Sequence, residues 1–279
     1  YVDLKKYNDP LMIIVPKNAI LEEPIIIESV ASGVEEIIIV VNEGAKASVI
    51  EKADTNAIRK HQTVDVHVEK NASLTYCSIY DQPDTCSKIN KKAHVKENAS
   101  IVWIDFPMNS KHARISVESD LEEEGAKSKM LCAFFGNNEQ EFDIHSNTNH
   151  KAGNTKGTMY AKGVLKDASK IKYRSEIKIQ NNASDCTAKQ HGKIIIIGNE
   201  AECDAIPKLD VSNDNVTCSH GMAIGKIDDE RMFYVLSRGL GEEKATELIA
   251  TGLLEPIIDE TSNEEIKEKI HNIIAKKIK

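Results

Sequence analysis

The sequence predicts a mainly β protein, a parallel β-helix (β-solenoid) followed by a small C-terminal helical domain. A turn, usually Asn or Gly followed by Ala, recurs at a nearly constant step of roughly 27 residues. Alternating apolar residues fill each step, and no run of helical period intervenes. A constant step is typical of stacked coils rather than of an antiparallel sandwich. The alanines that mark the turns are Ala19, Ala45, Ala72, Ala99, Ala126 and Ala152.

Each repeat contains strand-like runs rich in β-branched residues, which suit stacked columns in a β-helix core. The clearest runs are Ile37–Val41, Val64–Val68, Leu74–Ile79 and Ile101–Phe106. After Ala152 the alanines that mark turns stand closer together, at Ala168, Ala183 and Ala201. This spacing predicts shorter coils near the C-terminal end of the β-helix.

Shorter coils would bring three thiols together. Cys186 and Cys218 are separated by about two such coils, and Cys203 falls on the coil between them. The three could line one side of the last turns. They could equally pack as small buried hydrophobes, which is the common role of a free cysteine.

The apolar period changes from strand to helix after Asp228, and either Asp228 or Asp229 can cap a helix start. The pattern divides the chain into a β-helix at residues 1–225 and a helical domain at residues 226–279. We expect the helices to cap the open end of the β-helix, because an uncovered coil exposes unpaired edges. Gly252 and Pro256 are expected to break the chain between the second and third helices, and Ser262 with Glu265 forms a capping box. The predicted helices are Asp228–Leu240, Glu242–Ala250 and Ser262–Ile278.

Composition narrows the class of protein. The chain has 279 residues, of which 41% are hydrophobic, enough for a large core. The net charge of −8 argues against nucleic acid as a main partner. We find no apolar run of membrane-spanning length, no signal segment and no CxxC pair among the six cysteines, so we expect reduced thiols and a cytoplasmic location. Because the sequence begins at Tyr1, we expect the native start to lie further upstream.

Cys218-Ser219-His220-Gly221 places a thiol and an imidazole at the junction of the two architectures. A thiolate and an imidazole can bind soft metal ions, although a lone cysteine or histidine more often has a structural role. The sequence contains no GxxxxGK[ST] motif, so we expect no nucleotide hydrolysis by that route. Three aspartates could mimic the carboxylates of a polysaccharide-cleaving β-helix, although the aromatic platforms of such sites are absent; they are Asp204, Asp210 and Asp214.

The segment from Gln190 to Leu254 resembles the C-terminal core of the SufB/SufD family, the scaffold proteins of SUF iron-sulfur cluster assembly. It carries DAxPxL, then CSHG, then FYxxSRG, in the order and spacing of that family. The matching residues are Asp204, Ala205, Pro207, Leu209, Cys218, Ser219, His220, Gly221, Phe233, Tyr234, Ser237, Arg238 and Gly239. The resemblance implies a right-handed parallel β-helix and a scaffold, not an enzyme.

The resemblance also implies partners. In this family the C-terminal helical segment binds SufC, an ABC-type ATPase, and the ends of the β-helices pair two scaffold subunits. We therefore expect a SufC-like partner and a dimer with a second copy or with a paralogue. The residues of this chain that match the ATPase-binding segment are Phe233, Tyr234, Ser237, Arg238 and Gly239.

The implied cofactor is a transient iron-sulfur cluster, with Cys203, Cys218, His220 and Cys186 as candidate ligands. Reduced flavin has been linked to the resembled complex, but no stretch of this sequence indicates a flavin site. The CSHG histidine is similar to SufD-type members. SufB-type members carry a cysteine at the position of Ala201 and a glutamate at that of Gly221, so an adaptor without its own cluster stays an alternative.

Overall fold

The computed structural model describes residues 10–29, 33–53 and 59–279. The chain winds into a parallel β-solenoid of about seven turns followed by three helices, as the sequence predicted. The parts of the predicted β-helix at residues 1–9, 30–32 and 54–58 lie outside the described residues. The strands are β1 (Leu11–Val15), β2 (Ile25–Ser29), β3 (Gly33–Val41), β4 (Lys46–Ala53), β5 (Arg59–Val68), β6 (Ser73–Val95), β7 (Ser100–Leu121), β8 (Lys127–Gly136), β9 (Glu141–His150), β10 (Lys156–Lys166), β11 (Lys170–Ile179), β12 (Cys186–Ile197), β13 (Glu202–Val211) and β14 (Val216–Lys226). The helices are α1 (Asp229–Ser237), α2 (Glu242–Ile258) and α3 (Glu264–Ile278).

The strands form two parallel faces with the core between them. The front sheet contains β1, β3, β5, β9, β11 and β13, and the back sheet contains β2, β4, β8, β10, β12 and β14. The long strands β6 and β7 bend in the middle and contribute one half to each sheet. All four predicted strand-like runs lie inside strands of this solenoid.

The recurring Asn or Gly turns are corners between the back and front sheets. Asn71 and Asn98 have φ of 57° and 55°, in the left-handed region where Asn and Gly are favoured. Gly44 has φ of 70°, and a Cβ there would collide with the side-chain oxygen of Asn18 one coil away. The alanines at the four central corners, Ala45, Ala72, Ala99 and Ala126, are buried in the core. The repeat therefore combines a backbone requirement with a packing requirement.

The prediction of short C-terminal coils was wrong. Lys127 pairs with Lys156, and Lys156 pairs with Thr187. Each of these two coils contains more residues than the coil before it. The coils therefore lengthen toward the C-terminal end, where the sequence predicted that they shorten. Thr155, not Ala152, therefore follows Ala126 in its column. Ala168 and Ala201 lie at the corners on the other side of the coil, before the front-sheet strands β11 and β13. Counting them with the first set of alanines made the repeat look half as long.

The helices do not cover the last coil, as a cap would. Buried residues of α2 and α3 pack on the outer face of the back sheet, over its middle strands. In this second core Leu254 and Ile270 join Ile79 and Phe106. The main core, between the sheets, contains columns of Ile, Val and Ala. The helices thus protect one sheet face and leave the end of the solenoid open.

Two helix boundaries also differ from prediction. Helix α2 continues through Gly252 and Pro256 to Ile258, because packing of its buried face outweighs the proline's missing hydrogen bond in the last turn. Helix α3 is capped by Asn263 rather than Ser262, and the Asn263 side chain accepts a hydrogen bond from the Ile266 N–H. Of Asp228 and Asp229, either of which could cap α1, the structure shows Asp228 as the cap. Within the described part of the chain, no helix combines the length and apolarity that crossing a membrane requires.

Candidate functional site

The last turn of the solenoid exposes its inner face. Within the described residues, β13 pairs only with β11 and β14 only with β12. Cys203 is in register with Ile171, and Cys218 is in register with Ala188; both partners are buried in the core. The two cysteines pack against that core and are half-buried. Their thiols therefore lie at the open end of the solenoid interior.

His220 occupies the same interior side of β14. It is in register with Gln190, which is 1% exposed and donates to the carbonyl oxygen of Lys208 at 3.0 Å. Ser175 donates to the other amide atom of Gln190 at 3.5 Å, and Ser175 is in register with Pro207. His220 is thus placed on the inner face, opposite the level of Pro207, and it is exposed because no strand among the described residues covers it.

The three thiols do not line one side of the last turns, because Cys203 lies on the other sheet from Cys186 and Cys218. Cys218 and His220 share one face of one strand, about 7 Å apart along it. Cys203 lies on the opposing sheet, four residues from Pro207, which places it about 13 Å from the level of His220. One chain therefore offers a Cys218–His220 pair and a distant third thiol. A compact cluster site would need further ligands from another molecule.

Cys186 is fully inside the solenoid. It takes the corner position after Thr155, two residues out of register with Cys218. Its Sγ lies 3.1 Å from the Thr155 hydroxyl and 3.4 Å from the carbonyl oxygen of Ala183. A buried thiol with these partners fills a structural role in the corner.

The thiols at the open end are held in the protonated form. Burial, with Asp204 beside it, raises the pKa of Cys203 to about 11. Burial and the neighbouring Cys186 raise the pKa of Cys218. Because the thiolate is the metal ligand, binding iron or a cluster must displace a proton at each cysteine.

Helix α1 exposes its apolar side chains and buries none of its residues. Phe233 is 73% exposed and Tyr234 is 58% exposed. Leu236, Leu240 and Leu248, on α1, the following turn and α2, are also exposed. An apolar patch of this kind on a surface helix is typical of a protein interface.

The end of α1 is ordered by local contacts of the predicted partner-binding residues. The Arg238 guanidinium lies 4.9 Å from the centre of the Tyr234 ring and donates to its hydroxyl at 3.2 Å. The Ser237 hydroxyl donates to the Tyr234 carbonyl oxygen at 2.7 Å. Gly239 has φ of 89° and turns the chain toward α2. The SRG segment thus shapes the exposed helix rather than the core.

A row of buried charged side chains, which was not predicted from the sequence, lies inside the middle turns. Lys91, with a side chain 0% exposed, pairs with Asp105 and donates to the Ser78 hydroxyl. Glu51 accepts from Lys60 at 3.1 Å. Although burial alone would raise it, the ammonium groups of Lys60 and Lys91 hold the pKa of Glu51 at about 2. The available signal was strand parity, since these charges occupy alternate positions that otherwise carry apolar residues.

Another ionisable cluster lies on the front sheet. His94, Asp120 and Glu122 form the one group of three possible metal ligands within 4.8 Å in the described ranges. Lys92 and Lys151 already pair with Asp120. His94 lies 2.7 Å from Glu122. The group is therefore an ion-pair network, and the predicted cysteines do not belong to it.

The fold and this site define a β-solenoid protein with soft donor atoms at an open end and an exposed helix beside it. The family model described as "SUF system FeS cluster assembly, SufBD core domain" matches residues 25–253. The chain therefore belongs to the SufBD family, which acts in iron-sulfur cluster assembly as part of the SUF system.

Curated relatives agree with this assignment. Proteins named "Iron-sulfur cluster assembly SufBD family protein" from Staphylococcus saprophyticus and Staphylococcus epidermidis are each 31% identical over 259 residues. A Staphylococcus aureus protein of the same family name is 31% identical over 258 residues. Each match covers 89% of this chain and 56% of the relative. The chain thus spans about half the length of the curated relatives it matches.

Proposed function

We propose that this chain is a scaffold subunit, without ATPase activity of its own, of a cytoplasmic SUF-type complex. It holds a transient iron-sulfur cluster where its open end meets a second scaffold chain, either another copy or a paralogue. The observation that carries the proposal is the exposed inner face of β14, which presents Cys218 and His220 next to unpaired strand edges. Unpaired edges favour strand addition by a partner.

The separation of the donors supports an interface site. Cys218 and His220 cannot complete a four-ligand cluster site alone, and Cys203 lies about 13 Å along the rung from the level of His220. A second chain docked on the open end would supply the remaining ligands. Gly221 follows His220 where SufB-type members carry a glutamate. This difference favours a SufD-like contribution over cluster nucleation by this chain alone.

Anaerobic reconstitution with iron and sulfide tests the proposal. We expect the visible charge-transfer absorption to weaken strongly in Cys218→Ala and His220→Ala. Cys203→Ala tests the more distant thiol. The control is Cys86→Ala, since Cys86 lies outside the solenoid interior and should not matter. Unchanged spectra in the Cys218 and His220 variants would remove these residues as ligands.

The exposed α1 patch supports binding of a SufC-like ABC ATPase. The match to FYxxSRG falls on this helix, and the helix contributes nothing to the core. Co-purification with such an ATPase tests this part separately from the cluster.

A structural adaptor without its own cluster is the second candidate. The raised pKa values of Cys203 and Cys218 favour it, because both thiols stay protonated at neutral pH. A chain that binds the ATPase and pairs with a scaffold, yet reconstitutes no absorption with that scaffold present, would support the adaptor.

A polysaccharide-cleaving enzyme is less well supported than either candidate. Asp204 and Asp210 lie six residues apart on one strand, about 20 Å, which exceeds the separation of catalytic carboxylate pairs.

A further inference from the structure

A row of outward-facing residues on the back sheet ends in a bare glycine. Tyr160 pairs with His191, and His191 pairs with Gly221 on the last strand. The Tyr160 and His191 rings stack with their centres 5.9 Å apart and their planes at 23°. A Cβ on Gly221 would meet only the His191 Nδ1, at 3.6 Å. The stack therefore ends in an open slot beside the His191 ring.

Two lysines stand beside this stack. Lys162 and Lys193 are in register on neighbouring strands, two residues beyond Tyr160 and His191 on the same face. Among the contacts of the described residues, neither ammonium group has an ion pair or a hydrogen bond. Burial and the charge of Lys193 lower the pKa of Lys162. Two cations thus repel each other in a place where no acid neutralises them.

The slot and the lysines belong to one cleft of about 430 Å³, which Gly221 and Ala223 border on the last strand. That volume lies within the range of about 300–1,000 Å³ typical of small-molecule sites. Leu131, Tyr160 and His191 form a column across the outer face of the back sheet. Its Leu131 end is buried under the helices, whereas its His191 end is open. The cleft is therefore accessible from solvent and has a rigid floor.

We propose that this cleft binds a mononucleotide, with its planar base stacked on His191 in the slot left by Gly221 and its phosphate held by Lys162 and Lys193. Stacking on aromatic side chains is a common way to hold a base. A phosphate dianion offsets both ammonium charges, which a single carboxylate does not. The lysine row lies about 7 Å along the strands from the ring row, comparable with the separation of base and phosphate.

This site goes beyond the proposed scaffold function and is separate from it. Successive residues of a strand point to opposite faces, so Gly221 borders the outer cleft whereas His220 faces the solenoid interior. Failure of nucleotide binding would leave the cluster and ATPase proposals unchanged.

Fluorescence titration of the 279-residue chain with etheno-AMP tests the proposal, because stacking quenches the fluorescence of the probe. We expect saturable binding and competition by AMP. Adenosine and inorganic phosphate, which each lack half of the ligand, should each compete at least about tenfold more weakly.

Variants locate the site. Gly221→Val fills the slot without strain, and Lys193→Gln removes one charge; each should weaken binding at least about tenfold. The matched controls are Gly225→Val, on the same strand with no atom within 4 Å of an added Cβ, and Lys189→Gln, two residues before His191. Both controls should bind as the wild type does. Absence of saturable binding, equal competition by phosphate alone, or unchanged binding in Gly221→Val and Lys193→Gln would overturn the proposal.

Discussion

His220 lies in register with Gln190, one strand further toward the end of the solenoid. Gln190 is buried and hydrogen-bonded, whereas His220 takes the corresponding inner position on β14, which pairs with no further strand in the part of the chain that the structure describes. Within one turn of the solenoid, the residue in this polar interior column therefore changes from a buried structural residue, Gln190, to an exposed one, His220. The end of the solenoid is the place where interior chemistry becomes available to a partner.

Assembly through the open end should protect its thiols from alkylation. At chain concentrations that favour the dimer, iodoacetamide should label Cys203 and Cys218 more slowly than in the dilute chain. Cys86, half-buried on the front sheet, is the internal control and should react equally in both states. Peptide mass spectrometry measures the rates.

The pH dependence of labelling gives a second readout on the same thiols. Because burial raises the pKa of Cys203 to about 11, the rate at Cys203 should rise about tenfold per pH unit above neutrality. Labelling rates of Cys203 and of Cys218 that stay the same at all chain concentrations would argue against pairing through this end.

Phe233→Ser should weaken binding of an ABC-type ATPase at least about tenfold, as loss of an aromatic anchor does at interfaces. Because the Phe233 side chain is 73% exposed, the free energy of unfolding should change by less than about 0.5 kcal/mol. Calorimetry and urea unfolding give the two values.

Val34→Ser is the matched control, since Val34 is 77% exposed on β3, near the other end of the solenoid. It should leave ATPase binding unchanged. Equal affinities for wild type and both variants would exclude α1 as the docking surface.

Lys91→Met should destabilise the fold by about 3–5 kcal/mol, because it leaves Asp105 buried without its cation. The adjacent Lys92→Met is the control. Its side chain is 43% exposed on the outer face, so a loss below about 1 kcal/mol is expected. Urea unfolding measures both.

If Lys91→Met fails to fold, the double variant Lys91→Met/Asp105→Leu restores the test by removing both charges. We expect it to regain most of the lost stability. A double variant that is no more stable than Lys91→Met would show that the unpaired Asp105 is not the source of the loss.

Lys277 should make stability rise with pH above neutrality. Burial lowers the pKa of Lys277 from 10.5 to about 7, while its amine donates to the Phe135 carbonyl and to Gln140. Between these two values the unfolded chain binds a proton that the folded chain lacks, so the free energy of unfolding increases with pH across that window. Below about pH 7 both states are protonated, and the cost of burying the charge is fully present.

Urea unfolding of wild type and Lys277→Met between about pH 7 and 10 checks this prediction. The rise should be shallower in Lys277→Met. Lys276→Met, at the adjacent exposed lysine, should retain the slope of the wild type. Parallel curves for wild type and Lys277→Met would contradict the assignment.

Several features could be predicted from sequence because they depend on local chemistry. The left-handed corners require Asn or Gly, and the buried position after them requires a small residue, so the repeat was visible. The Asp228 cap and the change of period identified the start of the helices. In the candidate site, the motif singled out Cys218 and His220, and the structure places both on the inner face of β14.

Other features required the fold. Counting corners on both sides of the coil as one series made the coils look short, so the sequence did not reveal that Cys203 lies on the other sheet from Cys186 and Cys218. Strand parity in the sequence could have shown that Lys91 rather than Lys92 is buried, but only the stacking of β6 on β7 brings Asp105 to its side chain.

By itself, the sequence determined that this chain is a β-solenoid with C-terminal helices, because backbone preference and apolar period act over a few residues. Only the tertiary structure decided where the helices pack, which sheet carries each thiol and which end stays open. Those outcomes depend on contacts between residues far apart in the chain, where burial of apolar area and pairing of charges outweigh local preference.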